Sequence, residues 1–285
     1  MLDDRYLLHG LDALCRAHEM DYFTDGHRGA AMIAATFLCR EIDLEDGAAD
    51  VIGGMIDEHW AHTDLCAPFP DEAPAPDLIP RVAQAIERSM DRLRQAGHNV
   101  ILPSLALKAF HHMRDAATPA RIEGLCKLIE SFTTAEDIDL DDGDHIPVLS
   151  DLERPAEFIL AELLKCIDAF DGRGQGWSGH LLTYGRALLD LRHHGYDALA
   201  RAGDHAFRLY IKRIRMGPQS TDKPRPEHPP SELVPHQLAY WQARRTAPVG
   251  IGHVFKYPYG LTGLLDLSRD EDLMGRCMEA AYHVL

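Results

Sequence analysis

The chain has 285 residues, a formal net charge of −16 and 17 histidines. A surface this acidic repels nucleic acid and anionic membrane surfaces, so neither is an expected partner. No run approaches the roughly 20 apolar residues that span a bilayer, and the start, MLDDRYLLHG, lacks the basic segment of a signal peptide, so we predict a cytoplasmic protein.

Apolar residues recur at intervals of three and four along most of the chain, which predicts an all-α protein. The predicted helices span, in chain order, 29–41, 45–62, 77–96, 103–114, 119–133, 154–170, 179–193, 195–215, 231–245 and 269–284. Pro119 and Pro155 stand at two of these starts, where proline is favoured because the first turn does not use its N–H. Three polar or proline-rich segments are expected to be flexible loops, namely 67–80, 134–147 and 216–230. We expect a single domain over residues 1–285.

A Gly-His pair opens four small-residue or apolar stretches with a helical pattern. The four stretches are GHRGAAMIAATFL, GHNVILPSLALKAF, GHLLTYGRALLDL and GHVFKYPYGLTGLLDL, and their histidines are His27, His98, His180 and His253. Successive histidines are 71, 82 and 73 residues apart. This recurrence predicts helical repeats that form a ring or bundle of the α/α toroid type and present one imidazole each.

Four imidazoles aimed at one centre would bind a transition metal, because neutral imidazole is the commonest protein ligand for such ions. We therefore predict His27, His98, His180 and His253 as metal ligands. A single Gly-His pair is more often a structural turn before a helix than a metal site, since glycine allows the backbone to turn there, so the prediction depends on the set of four. Lys256 follows His253 by three residues and shares its helical face, which makes it a candidate fifth ligand.

The order of these motifs resembles the questin oxidase-like proteins, which carry an early histidine before a small-residue helix, middle histidines that head apolar helices, and a late H-x-x-K element. In this chain GHRGAAMIAATFL, GHNVILPSLALKAF, GHLLTYGRALLDL and GHVFKYP carry the resemblance, which spans residues 21–267. The chain departs from the family in its shorter length and in the lack of a further histidine after the second motif. The resemblance implies an oxygen-dependent enzyme that acts on polycyclic aromatic compounds, as in the oxidative ring opening of an anthraquinone.

Fe(II) is the expected metal, and zinc or another divalent transition metal fits the same nitrogen ligands. Oxygen activation at non-heme iron usually uses at least one anionic oxygen ligand. Two residues are candidates to supply it: Asp25, two residues before His27, and Lys256 after CO₂ converts its amine into a carbamate. The short reach from His253 favours Lys256, and a plain surface lysine is the alternative.

An aromatic substrate needs flat apolar walls with a few polar anchors. Aromatic residues stand near all but the second histidine, and these are Tyr22, Phe23, Trp177, Tyr184, Tyr257 and Tyr259. Arg28 and Arg186 are candidates to hold a phenolate, a carboxylate or a bound oxygen species, with surface ion pairing as the alternative. The candidate catalytic residues are Lys256, Arg28 and Tyr184.

The sequence thus predicts a mononuclear non-heme iron oxygenase that uses O₂ to oxidise or cleave an aromatic small molecule. A metal-dependent hydrolase or lyase, in which the metal activates water, is the first alternative. A non-enzymatic helical scaffold with structural Gly-His turns is the second. Each is compatible with a homo-oligomer.

Overall fold

In the computed structural model, the described residues are 1–170, 175–222 and 229–285. They form twelve α-helices and no β-strand, so the all-α prediction is confirmed. The helices are α1 (Asp4–Arg16), α2 (Tyr22–Glu41), α3 (Ala48–Ile56), α4 (Ile79–Ser89), α5 (His98–His112), α6 (Pro119–Ser131), α7 (Pro155–Ala169), α8 (Gln175–His193), α9 (Asp197–Arg215), α10 (Leu238–Arg245), α11 (His253–Leu267) and α12 (Glu271–Ala280). None of these helices is both long enough and apolar enough to cross a membrane.

Helices α2, α5, α8 and α11 form the inside of the molecule. Each contains one Gly-His pair or begins directly after its glycine. Helix α2 packs on α5, α5 on α8, α8 on α11, and α11 returns to α2. These helices are apolar around most of their circumference, as in the run of buried residues Ala30–Ala35 of α2, because neighbours cover them on several sides.

The remaining helices cover the outside of these four. Helix α1 packs along α2 and α6, α4 contacts α5 and α6, α7 and α9 both contact α8, and α12 contacts α7. The outer helices are amphipathic: α4 buries Val82 and Ile86 and exposes Arg81 and Glu87. Burial of one face against the inner helices explains why their apolar residues recur at helical intervals.

Several helix ends differ from the predicted ones. Helix α1 was not predicted, although the side chain of Asp3 caps it by accepting a hydrogen bond from the Arg5 N–H at 3.0 Å. Pro103 lies inside α5 rather than at its start. Pro119 and Pro155 occupy the first positions of α6 and α7, as predicted. The predicted helix 231–245 shortens to α10, and the predicted helix 77–96 shortens to α4.

The three predicted flexible loops contain anchored parts. The first ends in a short 3₁₀ turn, Pro76–Leu78, that leads directly into α4. The second is tied to α9 by ion pairs from Lys212 to Asp141 and Asp144, at 2.7 and 2.9 Å. Of the third, residues 223–228 lie outside the described residues. The preceding part of that loop is held to α8 and α9 by contacts described below.

Candidate metal centre

Two of the Gly-His pairs form the N-terminal junctions of inner helices. Gly97 and Gly252 adopt left-handed backbone angles, with φ of +89° and +83°, and α5 and α11 begin at the next residues, His98 and His253. A Cβ atom at Gly252 would lie 2.2 Å from the Cβ of Ala31. Glycine is therefore required at that junction both for its backbone angle and for the close approach of α2.

The other two pairs lie one turn inside their helices. Gly26 and His27 follow the start of α2, and Gly179 and His180 follow the start of α8. The prediction that every histidine opens its helix is therefore wrong for these two. A Cβ atom at Gly179 would lie 2.2 to 2.5 Å from ring atoms of Tyr257, so this glycine makes room for an aromatic ring of α11.

The structure brings all four predicted histidines together between the inner helices. Their ring centroids are 4.3 Å apart for His27 and His98, and 4.4 Å apart for His98 and His180. The distances are 5.1 Å from His180 to His253 and 5.4 Å from His253 back to His27. Ligand atoms of His27, His98 and His180 all lie within 4.8 Å of one another. We call these four residues the histidine cluster.

Three members of the histidine cluster are fixed by their own backbone. Nδ1 of His27 donates to the Phe23 carbonyl at 2.7 Å, and Nδ1 of His180 donates to the Gly176 carbonyl at 2.5 Å. Nδ1 of His98 makes the same kind of bond to a carbonyl three residues earlier. A carbonyl can only accept, so these bonds place the proton on Nδ1 and leave the lone pair on Nε2. This is the tautomer that binds metal through Nε2.

The Nε2 atoms of the histidine cluster are buried, and none of the four has a hydrogen-bond partner among the described residues. A buried polar atom without a partner costs about 1–3 kcal/mol, and four in one cluster are an unusual concentration. A divalent transition metal accepts several imidazole lone pairs at once. The donor set of the cluster therefore fits a metal ion.

Burial keeps the histidine cluster neutral. Removal from solvent lowers the pKa of His27, His98 and His253 well below the usual value, and nearby Lys256 and the neighbouring imidazoles lower each of them further. Burial and Lys256 together lower the pKa of His180 to about 3. All four imidazoles are then uncharged at pH 7, which is the form that ligates metal.

Lys256 lies one turn after His253 in α11, and only 1% of its surface is exposed. Burial lowers the pKa of its amine well below the usual value. Burial is the one cause of this shift, and no carboxylate among the described residues offsets it. Lys256 borders a small cavity of about 10 Å³ together with Ser104 and Thr183. Lys256 is therefore not a surface lysine, and its role as a ligand stays a prediction.

Asp25 and Arg28 are paired with each other on the side of α2 away from the histidine cluster. An oxygen of Asp25 accepts a hydrogen bond from Arg28 at 2.9 Å, and the other accepts one from the Asp21 N–H at 3.2 Å. Asp25 precedes His27 by two residues, which places the two side chains on different faces of the helix. Among the described residues, the group that fits a metal contains no carboxylate. The geometry thus does not bring Asp25 to the metal centre. Arg28 forms an ion pair with Asp25, which was the alternative to its predicted role as a substrate anchor.

Three of the predicted aromatic residues lie at the histidine cluster. The Phe23 ring is 4.4 Å from that of His27, and the Tyr257 ring stacks on His253 at 4.4 Å. Phe23 and Trp177 line an open cavity of about 440 Å³ that reaches His98 and His180. We call it the entrance cavity. Its aromatic walls and its contact with two histidines make it the candidate substrate site.

The remaining predicted aromatic residues lie elsewhere. Tyr184, a predicted catalytic residue, packs edge-on against Phe207 and Tyr210. Its buried hydroxyl has no partner in the described structure, and its ring covers Gly97, where a Cβ would lie 2.5 Å away. The hydroxyl of Tyr22 contacts the Gln95 side chain instead of the cluster.

A second polar cluster, which the sequence reasoning missed, lies farther along the inner helices. Lys108 of α5 contacts Asp190 at 3.3 Å, the Tyr259 hydroxyl at 2.7 Å and Glu41 at 2.5 Å. Arg186, a predicted substrate anchor, is held here by Asp190 at 2.8 Å and Glu41 at 3.0 Å. One feature of the sequence could have indicated this cluster: Lys108 lies in the apolar run SLALKAF, where a charged residue needs a buried partner. Its charges are mutually paired, so it ties α2, α5, α8 and α11 together.

Comparison with known proteins gives no relative from which a function could be inferred. No family model matches the chain, and no curated protein or solved structure matches it either. The resemblance to the questin oxidase-like proteins therefore stays a prediction from the Gly-His motifs and the H-x-x-K element. The centre itself is described by its geometry: three buried imidazoles, a half-buried fourth whose Nε2 is buried, a buried lysine beside them and an aromatic cavity that reaches two of them.

Proposed function

We propose that the chain is a mononuclear non-heme iron oxygenase of the questin oxidase-like type, which oxidises or cleaves an aromatic small molecule with O₂. The main support for a bound metal is the set of four buried Nε2 atoms that lack hydrogen-bond partners among the described residues. We further infer that the inner helices close an α/α toroid-like ring around this centre, because α11 returns to contact α2.

His27, His98, His180 and His253 would hold the metal, and bound Fe(II) would supply the one-electron chemistry that O₂ requires. The four imidazoles bring no charge to that ion. Lys256, converted to a carbamate by CO₂, would supply an anionic oxygen ligand that Asp25 is not placed to give. CO₂ would add to the neutral amine, which loses one proton to solvent as the carbamate forms, so the burial that lowers the pKa of Lys256 favours the reactive form of the amine.

The entrance cavity would hold the substrate. Phe23 and Trp177 offer flat apolar surfaces on which a planar ring can pack, and His98 and His180 place such a ring beside the metal. The Tyr257 hydroxyl is buried and has no partner within the described ranges. Burial raises the pKa of this hydroxyl, so it keeps its proton and serves as a hydrogen-bond donor next to His253.

The test begins with metal analysis of the purified protein and continues with turnover of aromatic compounds in air and under anaerobic conditions. We expect about one iron per chain and consumption of O₂ that depends on the aromatic compound. A protein that takes up no transition metal contradicts the proposal. Turnover that continues without O₂ contradicts the oxygenase assignment alone.

A hydrolase or lyase is the second candidate, and the grouping of His27, His98 and His180 favours it. Three imidazoles with ligand atoms within 4.8 Å of one another are the donor set that zinc uses when it lowers the pKa of a bound water. In that case zinc should restore activity to the metal-free protein and O₂ should have no effect. The same pair of measurements, metal identity and oxygen dependence, separates the two candidates.

Replacing Lys256 tests the carbamate. Lys256→Ala should weaken metal binding and activity, and bicarbonate should not rescue the variant because the amine that captures CO₂ is gone. Wild-type protein stripped of metal and CO₂ should regain activity faster with bicarbonate present. Lys127→Ala, at a half-exposed lysine of α6, is the control and should behave as wild type. A fully active Lys256→Ala variant would rule out the carbamate.

A further inference from the structure

The segment that follows α9 folds back over the start of α8 and is fastened there by Asp222. One oxygen of Asp222 accepts a hydrogen bond from Nε1 of Trp177 at 2.9 Å. Both oxygens accept from the Arg213 guanidinium at 2.9 Å, and one accepts from the Gln219 N–H at 2.7 Å. The carboxylate thus joins the segment 217–222 to both α8 and α9.

Arg213 completes the arrangement from the other side. Its guanidinium carbon lies 4.3 Å from the centroid of the Trp177 ring, which is a cation–π contact, and it donates to the Gly217 carbonyl at 3.1 Å. The side chains of Arg213 and Asp222 are each 7% exposed. A buried ion pair is costly to form and more costly to break from one side, because the remaining charge is left buried and unpaired. We call Asp222, Arg213 and Trp177 the clasp.

The clasp borders the entrance cavity. Trp177, Thr221 and Asp222 line the same open space of about 440 Å³ that reaches His98 and His180. The position of the Trp177 ring therefore decides how wide this approach to the histidine cluster is. A set of hydrogen bonds that fixes one ring from two sides also fixes that width.

We propose that Asp222 is a positioning residue, which holds Trp177 and the segment 217–222 as a rigid wall and so restricts passage between solvent and the histidine cluster. This inference rests on the proposed function insofar as a metal in the cluster is the species that passes. It does not require that Asp222 touch the metal or the substrate. Loss of the clasp should therefore change how fast the site exchanges its contents and not how tightly the site binds them.

Asp222→Asn tests this with zinc as the probe, because the variant keeps the size of the side chain and removes its charge. We expect the equilibrium affinity for zinc to be unchanged. The rates of zinc loading and of zinc removal by a chelator should both rise by about tenfold or more, since a hydrogen bond to a charged group contributes that much. Asp141→Asn is the matched control, because Asp141 also pairs with a cation of α9 but lies on the exposed acidic loop. It should leave both rates as they are.

A second measurement follows Trp177 in the metal-free protein. The chain has three tryptophans, so ¹⁹F NMR of protein labelled with 5-fluorotryptophan gives three resonances, and Trp177→Phe assigns one of them. In Asp222→Asn only the Trp177 resonance should shift and broaden. Trp177→Phe removes the hydrogen bond to Asp222 and keeps the ion pair between Asp222 and Arg213, so it should also raise the zinc exchange rates. This variant provides the test if Asp222→Asn fails to fold.

The outcomes separate this inference from the proposed function. A wild-type protein that binds neither zinc nor iron overturns the proposed function, and the ¹⁹F experiment then decides the inference, which an unmoved Trp177 resonance overturns. Zinc that binds with unchanged exchange rates in both variants overturns the inference and leaves the proposed metal site in place. A loss of affinity in Asp222→Asn would make Asp222 part of the binding site itself and also overturns the positioning role.

Discussion

The buried imidazole nitrogens dominate the chemistry of this molecule at the scale of single residues. Each of three Nδ1 atoms is held by a carbonyl of its own chain, so the rotamer and the tautomer of the ring are set before any ligand arrives. Their Nε2 atoms pack together although no described group bonds to them. A fold that only needed to fill this space would do so at lower cost with apolar side chains. The donor set and its cost both favour a metal site.

Removing one imidazole should separate metal binding from folding. His180→Ala should abolish stoichiometric metal and leave the helical circular dichroism largely intact, because the apolar contacts of the inner helices remain. His205→Ala, at an exposed position of α9, is the control and should keep the metal. Metal content is measured by elemental analysis of the purified variants. Unchanged metal in His180→Ala would remove this residue from the ligands, and loss of folding would indicate a structural metal.

At the scale of single elements, one dipeptide performs two different tasks. Gly97 and Gly252 turn the backbone into α5 and α11 with left-handed angles, whereas Gly26 and Gly179 lie inside helices. Inside α8 the glycine is needed for space, because the Tyr257 ring occupies the place of its Cβ. A helix that contains glycine at such a point accepts a cost of about 1 kcal/mol relative to alanine. Close packing of the inner helices offsets it.

The two contributions of Gly97 can be measured separately. Gly97→Ala adds a strained backbone angle and a clash with the Tyr184 ring, so it should lower the free energy of unfolding by about 2–4 kcal/mol. Gly195→Ala has nearly the same backbone angle, +83°, with no atom near the added Cβ, so it should cost only about 1 kcal/mol. Urea denaturation of the two variants gives the difference. Equal losses would show that the ring contact with Tyr184 does not constrain the junction.

The sequence predicted the helical class and the meeting of the four histidines, because apolar periodicity and a repeated dipeptide are local patterns. It did not predict which glycines turn the chain, because Gly26 and Gly97 look alike until the neighbouring helices are in place. The predicted helix 103–114 begins at Pro103 for the same reason, since no local pattern distinguishes a proline inside a packed helix from one at a helix start. The sequence did not predict the clasp, because Trp177 stands 45 residues from Asp222 and only Asp222 lies in a proline-rich segment.

At the scale of the whole molecule, the two kinds of Gly-His junction alternate around the inner helices. His27 and His180, which lie inside their helices, are 153 residues apart, and His98 and His253, which begin theirs, are 155 residues apart. Both α5 and α11 also carry a proline five residues after the histidine. The chain is thus organised as two halves of similar design, and each half contributes two imidazoles to the cluster.

Gathering four neutral histidines makes the metal-free fold sensitive to acid. In the unfolded chain these imidazoles take up protons below about pH 6.5, whereas in the folded chain their lowered pKa values prevent it. The unfolded state then binds more protons, so stability is fully present above pH 6.5 and is lost as the pH falls. We expect a loss of about 1 kcal/mol for each of these histidines by pH 5.5.

Urea denaturation of the metal-free protein at pH 7.5 and 5.5 measures this loss. His98→Gln should reduce the loss by the share of one imidazole, and His205→Ala, at an exposed histidine, should leave it unchanged. Equal stability at the two pH values would mean that the histidines of the folded protein are protonated as readily as those of the unfolded chain.

The neutral state of the histidine cluster also determines how many protons are released when a metal binds. Most metal sites release protons when their ligands bind the metal. The buffer takes up those protons, and its heat of protonation is added to the measured heat of binding. In His27, His98 and His180 the ring proton stays on Nδ1, against a backbone carbonyl. The lowered pKa values of all four imidazoles mean that none carries a second proton at pH 7. In CO₂-free solution, where Lys256 stays an amine, the calorimetric enthalpy of metal binding at pH 7 should therefore be the same in two buffers that differ widely in their heat of ionisation.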